Sequence, residues 1–425
     1  MKSDGHIPLA SFFLLERTEP ALPKLADLSG TILESLKGLG IAAGKLRGKR
    51  VAIAVGSRGI ASLNEIVAAV CGWLKAQGAQ PFIFPAMGSH GGGTAEGQRK
   101  ILEGYGVTEA AMGVEIRSSM ETVLVGTTPE GFNVHMDRNA WESDGVVVVN
   151  RIKPHTDFSG KIESGLLKMM TIGMAKLEGA TEGHRNHRKY GLEATSRSVS
   201  GRVLASGKIL FGVAVVENEL HQIAAVRAAR PEGIVEQEES TLQLARTLVP
   251  RIPVPAFHLL VVDEMGKNIS GTGMDTKVIG RGVELPPGEA PAISMIYVRS
   301  LTPASGGNAV GMGSADVIHD RLYQAIDFEK TYLNALTALS PVGGRLPIHL
   351  PSDRAALDLT LGHLGSPQPT EQRLVWIRNT LSLDRIAISA PLAPEAKALP
   401  RWRLLEGAHP ADFDPAGNLI SLFGG

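Results

Sequence analysis

Short, continuous apolar runs alternate along this chain with longer stretches in which apolar residues recur every three or four positions. The rhythm sets in at Val51. VAIAV over 51–55 reads as a strand, GSRGIA as a loop and 62–77 as a helix; PFIFPA over 81–86 is the next strand, followed by GSHGGGTAE and a second helix to Tyr105. Strands alternating with helices of this length predict right-handed crossovers and a mostly parallel sheet. Residues 106–145 carry shorter apolar runs and several turn signals, and predict an irregular continuation with small strands. The run 146–149 is wholly apolar and β-branched and ends at Asn150 and Arg151, as expected of a buried strand that delivers a loop at its carboxyl end.

Downstream, 209–216 reads as a strand and 234–248 as a surface helix of mixed acidic and apolar residues, before Pro250, Pro253 and Pro255 interrupt the pattern. A second unit opens with a strand over 257–262. Further strands are predicted over 293–298 and 386–388, and a helix over 318–336. The predicted fold class is α/β. Two α/β domains are expected, 1–255 and 256–425, with an active-site cleft between them and a closing segment from His409 able to return to either domain.

Composition removes several functional classes. The 425 residues include 43 Lys plus Arg and 43 Asp plus Glu, a balance that gives no general electrostatic reason to expect nucleic acid or an anionic membrane as partner. With 43% hydrophobic residues the chain can form two ordinary cores. The single cysteine, Cys71, rules out an intramolecular disulfide and a CxxC redox pair and reads as a small packed hydrophobe. The opening MKSDGHIPLASFFLLERTEP lacks a secretory layout and no run approaches a bilayer-spanning length, so a cytoplasmic location is expected.

The densest chemistry lies in NRIKPHTDFSGKIESGLLKMMTIGMAKLEGATEGHRNHRKY over 150–190, which sets His155, Lys161, Lys168, His184 and His187 among glycine-rich turns. Arg58, with Ser57 before it, directly follows a strand, where a guanidinium can hold a carboxylate or phosphate. His90 sits at the next strand end in GSHGGGT, whose glycines allow close backbone approach and whose Thr94 can cap a helix. That segment fits neither GxxxxGK[ST] nor GxGxxG. Lys168, in GLLKMMTIGM, can bury its stem and present an amine to phosphate or to a covalently joined cofactor; Lys161 is the alternative. His184 and His187, three apart, share one side if the segment is helical, but their spacing is not that of HExxH. In the second domain DEMGKNISGTGMD follows a strand, and offers Lys267 for a substrate carboxylate, Glu264 beside it, and the hydroxyls of Ser270 and Thr272. Trp376 is expected in the core.

Taken together, Ser57–Arg58 after the first strand of the repeat, the GSH turn at His90, the histidine followed by FSG at 155–160, the lysine-then-histidine pair and the Glu264/Lys267 turn resemble the lactate racemase family, which uses a nickel-pincer nucleotide. The resemblance spans most of the chain. It implies nickel pyridinium-3,5-bisthiocarboxylic acid mononucleotide attached through Lys168, with Ser57 near the cofactor and His184, 16 residues on, as the protein ligand of nickel. Arg58 and Lys267 would clamp the carboxylate of a small 2-hydroxy acid, and one of His90 or His155 would take the 2-hydroxyl proton as hydride leaves C2. Two departures stand out. GKIESGLLK replaces the short glycine–arginine–lysine run of the family's best-known racemase, and Glu264 replaces a glutamine three positions before the substrate-binding lysine. These point away from lactate toward another 2-hydroxy acid, such as an aldonic acid. Cofactor-maturation enzymes are the implied protein partners, and the sequence leaves the oligomeric state open.

Two other classes compete. An unrelated metal-dependent hydrolase or lyase would use His90, His155, His184 and His187, but lacks a recognised carboxylate–histidine framework. A non-catalytic protein binding anions or sugar acids would use the same cations without changing its ligand.

Overall fold

The first strand, β1 (Phe12–Arg17), pairs with none of the strands that come directly after it in sequence. In the structure, a computed structural model describing residues 5–18, 23–57, 59–156, 158–282, 285, 290–337 and 340–423, the chain divides into two compact units. One is Leu22–Val249; the other joins Met1–Ala21 to Pro250–Gly425. Of His184, Arg188 and Thr337 only the backbone is described. The amino-terminal residues, expected within a first domain spanning 1–255, therefore contribute their strand to the other unit.

In the Leu22–Val249 unit, β2 (Arg50–Val55) pairs in parallel with β3 (Gln80–Pro85), and a separate antiparallel hairpin is formed by β4 (Thr122–Thr127) and β5 (Asn133–Asp137). β6 (Gly145–Arg151) pairs in parallel with both β2 and β7 (Ile209–Glu217), while β8 (Ile223–Ala229) closes the edge antiparallel to β7. The sheet order is β3-β2-β6-β7-β8. The apolar run of β2 is buried on both faces, as a central parallel strand requires. Val51, Ile53 and Val55 join the core that includes Ile32 and Leu36 of the helix Leu28–Lys37 and Ile66, Val70 and Leu74 of Leu63–Ala76. Ala52 and Ala54 face a second core with Phe84, Val148, Leu166 and Leu242. The thiol of Cys71 lies inside the first core, where burial pushes it up to about 12, so it remains a protonated, inert packing group.

The other unit carries an eight-stranded mixed sheet built from β1, β9 (Ala256–Val262), β10 (Ala292–Val298), β11 (Val317–His319), β12 (Ile348–Leu350), β13 (Leu374–Ile377), β14 (Arg385–Ser389) and β15 (Trp402–Leu404). Its order is β12-β11-β10-β9-β13-β14-β1-β15; the strands from β12 to β13 run parallel, and β14, β1 and β15 join by antiparallel pairings. The helix expected over 318–336 is two helices, Asp320–Gln324 and Phe328–Thr337, with β11 just before them. Trp376 is fully buried, and its indole N–H donates to Asp263 Oδ1 at 2.6 Å. The closing segment stays in this unit: the backbone N–H of Leu419 donates to the buried Asp353 carboxylate at 2.7 Å, and Phe423 meets the Trp376 ring edge-on at 5.9 Å between centroids. No helix among the described residues is long and apolar enough to cross a membrane.

β1 lies between β14 and β15, with Phe12 and Leu15 facing different cores of the unit. Leu15, fully buried, packs in the core containing Leu260, Ile386 and Ile388. Leu15→Ala should cost about 2–5 kcal/mol in urea unfolding. A loss under about 1 kcal/mol would mean the strand is a peripheral addition.

Candidate active site at the strand ends

Because β2, β3, β6 and β7 run parallel, their carboxyl ends open on one side of the sheet, the side where ligands collect in α/β folds. Ser57 lies just beyond β2 and His90 beyond β3. The structure brings them together, with Ser57 Oγ 3.0 Å from His90 Nδ1. That same Nδ1 is 2.9 Å from the Met87 carbonyl, which can only accept, so Nδ1 carries the proton and Nε2 is the basic nitrogen of the neutral ring. The Tyr105 hydroxyl donates to the Ser57 carbonyl at 2.6 Å and fixes the turn from behind. His90 is exposed. Arg58 lies outside the described residues.

Lys168 ends the short helix Leu166–Lys168, which continues as a π-helical turn, Met169–Gly173. Its start is held from two directions. Asn150, the penultimate residue of β6, donates its amide to the Gly165 carbonyl at 2.7 Å, while Glu238 Oε2, from the helix Ile234–Leu248, accepts the Leu167 N–H at 2.9 Å. Gly165 occupies the N-cap position with no side chain to offer, and a Cβ there would lie 2.3 Å from Glu238 Oε1. The glycine thus admits a remote carboxyl as the cap. Lys168 is half-buried. Lys161 is exposed, and its backbone N–H donates to Glu193 Oε2 at 2.9 Å.

The His155 loop is organised by Glu163, whose side chain is sealed from water. It accepts the backbone N–H groups of His155 and of Gly160 and pairs with Arg246 Nη2 at 2.7 Å. The Phe158 ring rests 4.9 Å from the imidazole of His155. Alongside, Arg151 at the end of β6 pairs with Glu217 at the end of β7, and Glu217 also accepts the Ala61 N–H at 2.6 Å. Burial opposes ionisation of Glu217, yet His221, Arg151 and the Ala61 N–H together draw its carboxyl down to about 2.

Beneath the site lies a buried cation, Lys176. Its Nζ donates to the Pro85 carbonyl at 2.5 Å and to Gln98 Oε1 at 3.1 Å, and ion-pairs with Asp137 at 3.1 Å. Burial draws Lys176 below the ordinary lysine range and Asp137 above the ordinary carboxylate range, each opposed by the other's charge. Sequence reasoning passed over Gln98, Glu163, Lys176, Glu217 and Glu238. The one signal was polarity out of place: Glu238 lies on the buried face of its helix with Leu242 and Ala245, and Lys176 follows the buried Met174 and Ala175.

His184 and His187 do share a helix, Lys176–Tyr190, though the His184 side chain is outside what is described. Among the described residues, no group of three or more His, Cys, Asp or Glu is gathered to hold a metal ion. In the other unit the Glu264/Lys267 turn follows β9. Glu264 Oε1 accepts the Asn379 amide at 2.9 Å and pairs with Arg378 at 3.3 Å. Lys267 is half-buried; its backbone N–H donates to Ser305 Oγ at 2.9 Å and its ammonium to the Gly271 carbonyl. Ser270 and Thr272 bond to one another at 3.0 Å.

Glu238 gives this geometry a pH signature. Complete burial raises its carboxyl to about 7, against the lowering effect of the Leu167 and Leu166 N–H groups. A carboxyl raised on folding contributes stability that is fully present below about pH 4.5 and is lost as pH climbs through 7. The loss should approach about 3 kcal/mol by pH 8. Glu238→Gln should abolish that part of the pH dependence, seen as urea midpoints that change less between pH 5 and pH 8 than those of the parent. Parallel profiles for the two proteins would assign the slope to other groups.

Residues 39–195 match the family model of the lactate racemase N-terminal domain. No curated protein matches the chain. Among solved structures, the lactate racemase apoprotein from Thermoanaerobacterium thermosaccharolyticum aligns over 84% of this chain and 95% of its own, with a TM-score of 0.52 and 13% identity, a likeness of fold. Ser57, Arg58, His90, His155, Lys168 and His184 all lie inside the matched residues 39–195 of the lactate racemase N-terminal domain.

Proposed function

We propose that the chain is a cytoplasmic racemase or epimerase that inverts C2 of a small 2-hydroxy acid, aldonic acids included, using a nickel-pincer nucleotide attached through Lys168 and loaded by cofactor-maturation enzymes. The observation that carries this reading is the pairing of Ser57 with His90 at the parallel strand ends, within residues that match the lactate racemase N-terminal domain. The donor set fits the cofactor. A half-buried amine at Lys168 stands in a segment whose start is fixed by Asn150 and Glu238, and an imidazole-bearing residue follows at 184 on the next helix. Lys176 is unsuited to the attachment, since its amine is enclosed by Pro85, Gln98 and Asp137.

When bound, the group supplies reversible hydride acceptance at C2. The protein's own residues do the rest. Arg58 is assigned the carboxylate, which a guanidinium fork orients without taking part in bond breaking, and Lys267 is assigned to substrate recognition. His90, with Nδ1 committed to the Met87 carbonyl, accepts the 2-hydroxyl proton at Nε2 and returns it. His155 serves the opposite configuration, so each enantiomer or epimer meets a base on its own side. Glu264, held by Arg378 and Asn379, presents a carboxylate near Lys267 that suits a substrate with further hydroxyls.

Protein co-expressed with the maturation enzymes should invert substrate configuration with retention of label in a 2-deuterated acid and no net oxidation, measured by chiral chromatography and mass spectrometry over lactate, longer aliphatic hydroxy acids and aldonic acids. Hydrolysis, or binding without inversion by verified loaded protein, would overturn the reading. His90→Ala should keep the Lys168 adduct while losing roughly a hundredfold or more in kcat. Lys267→Ala should also keep the adduct but weaken kcat/KM by about tenfold or more. Unchanged kinetics for every active substrate would place the Lys267 turn outside recognition.

A further inference from the structure

Lys176 is a residue for which packing alone gives no reason. Its side chain is completely buried, and its backbone φ is 54°, in the left-handed region that a non-glycine residue adopts at a cost. Buried ion pairs such as Lys176–Asp137 are often replaceable by apolar side chains without loss of stability. Strain and a buried charge at one position indicate a constraint imposed by the site.

The contacts of Lys176 identify what is constrained. Pro85, whose carbonyl accepts from Nζ, is the last residue of β3, where the His90 turn begins. Gln98, the second acceptor, turns its amide back to the Gly88 carbonyl at 2.9 Å and the His90 carbonyl at 3.3 Å. One ammonium therefore holds the start of the turn directly and its end through Gln98. Asp137, which fixes the ammonium itself, is anchored at the end of β5 and caps the Ala140 N–H at 3.0 Å. Lys176 also opens the helix that carries His184.

We propose that Lys176, relayed by Gln98, is a positioning residue for His90, setting the ring orientation in which Nδ1 is bound to Met87 and Nε2 faces the substrate. The inference rests on His90 acting as the proton carrier. It predicts that breaking the link frees the ring without disturbing carboxylate binding or the Lys168 adduct.

Two variants test it. Lys176→Met with Asp137→Asn removes the cation without leaving an unpaired carboxylate, and Gln98→Leu cuts only the relay while the ion pair stays. The first readout is the tautomer of His90 in cofactor-free, 15N-histidine-labelled protein, observed by long-range 1H–15N correlation and assigned by its disappearance in His90→Gln. The Nδ1-protonated form is expected in the parent and a mixture of tautomers in both variants. The second readout is kinetic: kcat of the loaded variants should fall roughly tenfold to a hundredfold, with KM within about twofold and adduct mass unchanged. Folded variants that keep the parent tautomer and a kcat within about twofold overturn the proposal, as does a fall in activity accompanied by loss of the adduct, which marks a general scaffold role. If the double variant does not fold, Gln98→Leu decides by the same readouts. If the loaded parent shows no turnover, the functional reading fails by itself and the tautomer comparison still decides whether Lys176 sets the ring.

Discussion

Where a parallel sheet ends, each strand releases polar backbone into a turn, and those groups must find partners without the help of the ladder. In the Leu22–Val249 unit four strand ends face this demand side by side, and buried charges meet it. Lys176 holds the β3 turn, Glu217 joins the ends of β6 and β7 through Arg151 and reaches the loop after β2, and Glu163 gathers two amides of the His155 loop. Each charge is itself paired, with Asp137, Arg151 or Arg246, and this pairing makes such burial tolerable. The backbones of the turns that carry the candidate groups are thus held by side chains other than their own.

The helix Ile234–Leu248 shows how far that support reaches. Its Glu238 caps the segment bearing Lys168 and its Arg246 holds Glu163, so one helix fixes the origins of both the proposed attachment lysine and the His155 loop. The caps come from a distant element because Gly165, at the N-cap position, has no side chain of its own and leaves just enough room for a carboxyl. Precise sites need this kind of outer shell, since first-contact residues on loops are otherwise loosely placed.

What the sequence disclosed follows from range of interaction. β2, β6 and the helix Ile234–Leu248 stand where periodicity puts them, because a central parallel strand is apolar throughout and a surface helix shows its 3.6-residue stripe. β1 escaped notice because FFLLER gains its strand identity from β14, hundreds of residues away, and no local pattern encodes that pairing. β8, at a sheet edge, is a short alanine-rich run, IAAVRAA, with little of the β-branched signature. At the candidate site, Ser57 and His90 stand out through glycine-rich settings at strand ends, and Lys168 through its place among apolar residues. The groups that hold them do not, for Lys176, Glu163 and Glu238 resemble ordinary surface charges until the fold shows them buried.

We propose that the strand ends of the Leu22–Val249 unit hold a nickel-pincer nucleotide through Lys168. Peptide-level mass spectrometry of protein matured in the cell, with nickel quantified in the same preparation, tests it most directly. The account requires a mass adduct on the peptide containing Lys168 and nickel in matching amount, both absent from Lys168→Ala. An unmodified Lys168 with no nickel in a preparation whose maturation enzymes demonstrably load another racemase, or an adduct found on Lys161 instead, would contradict it.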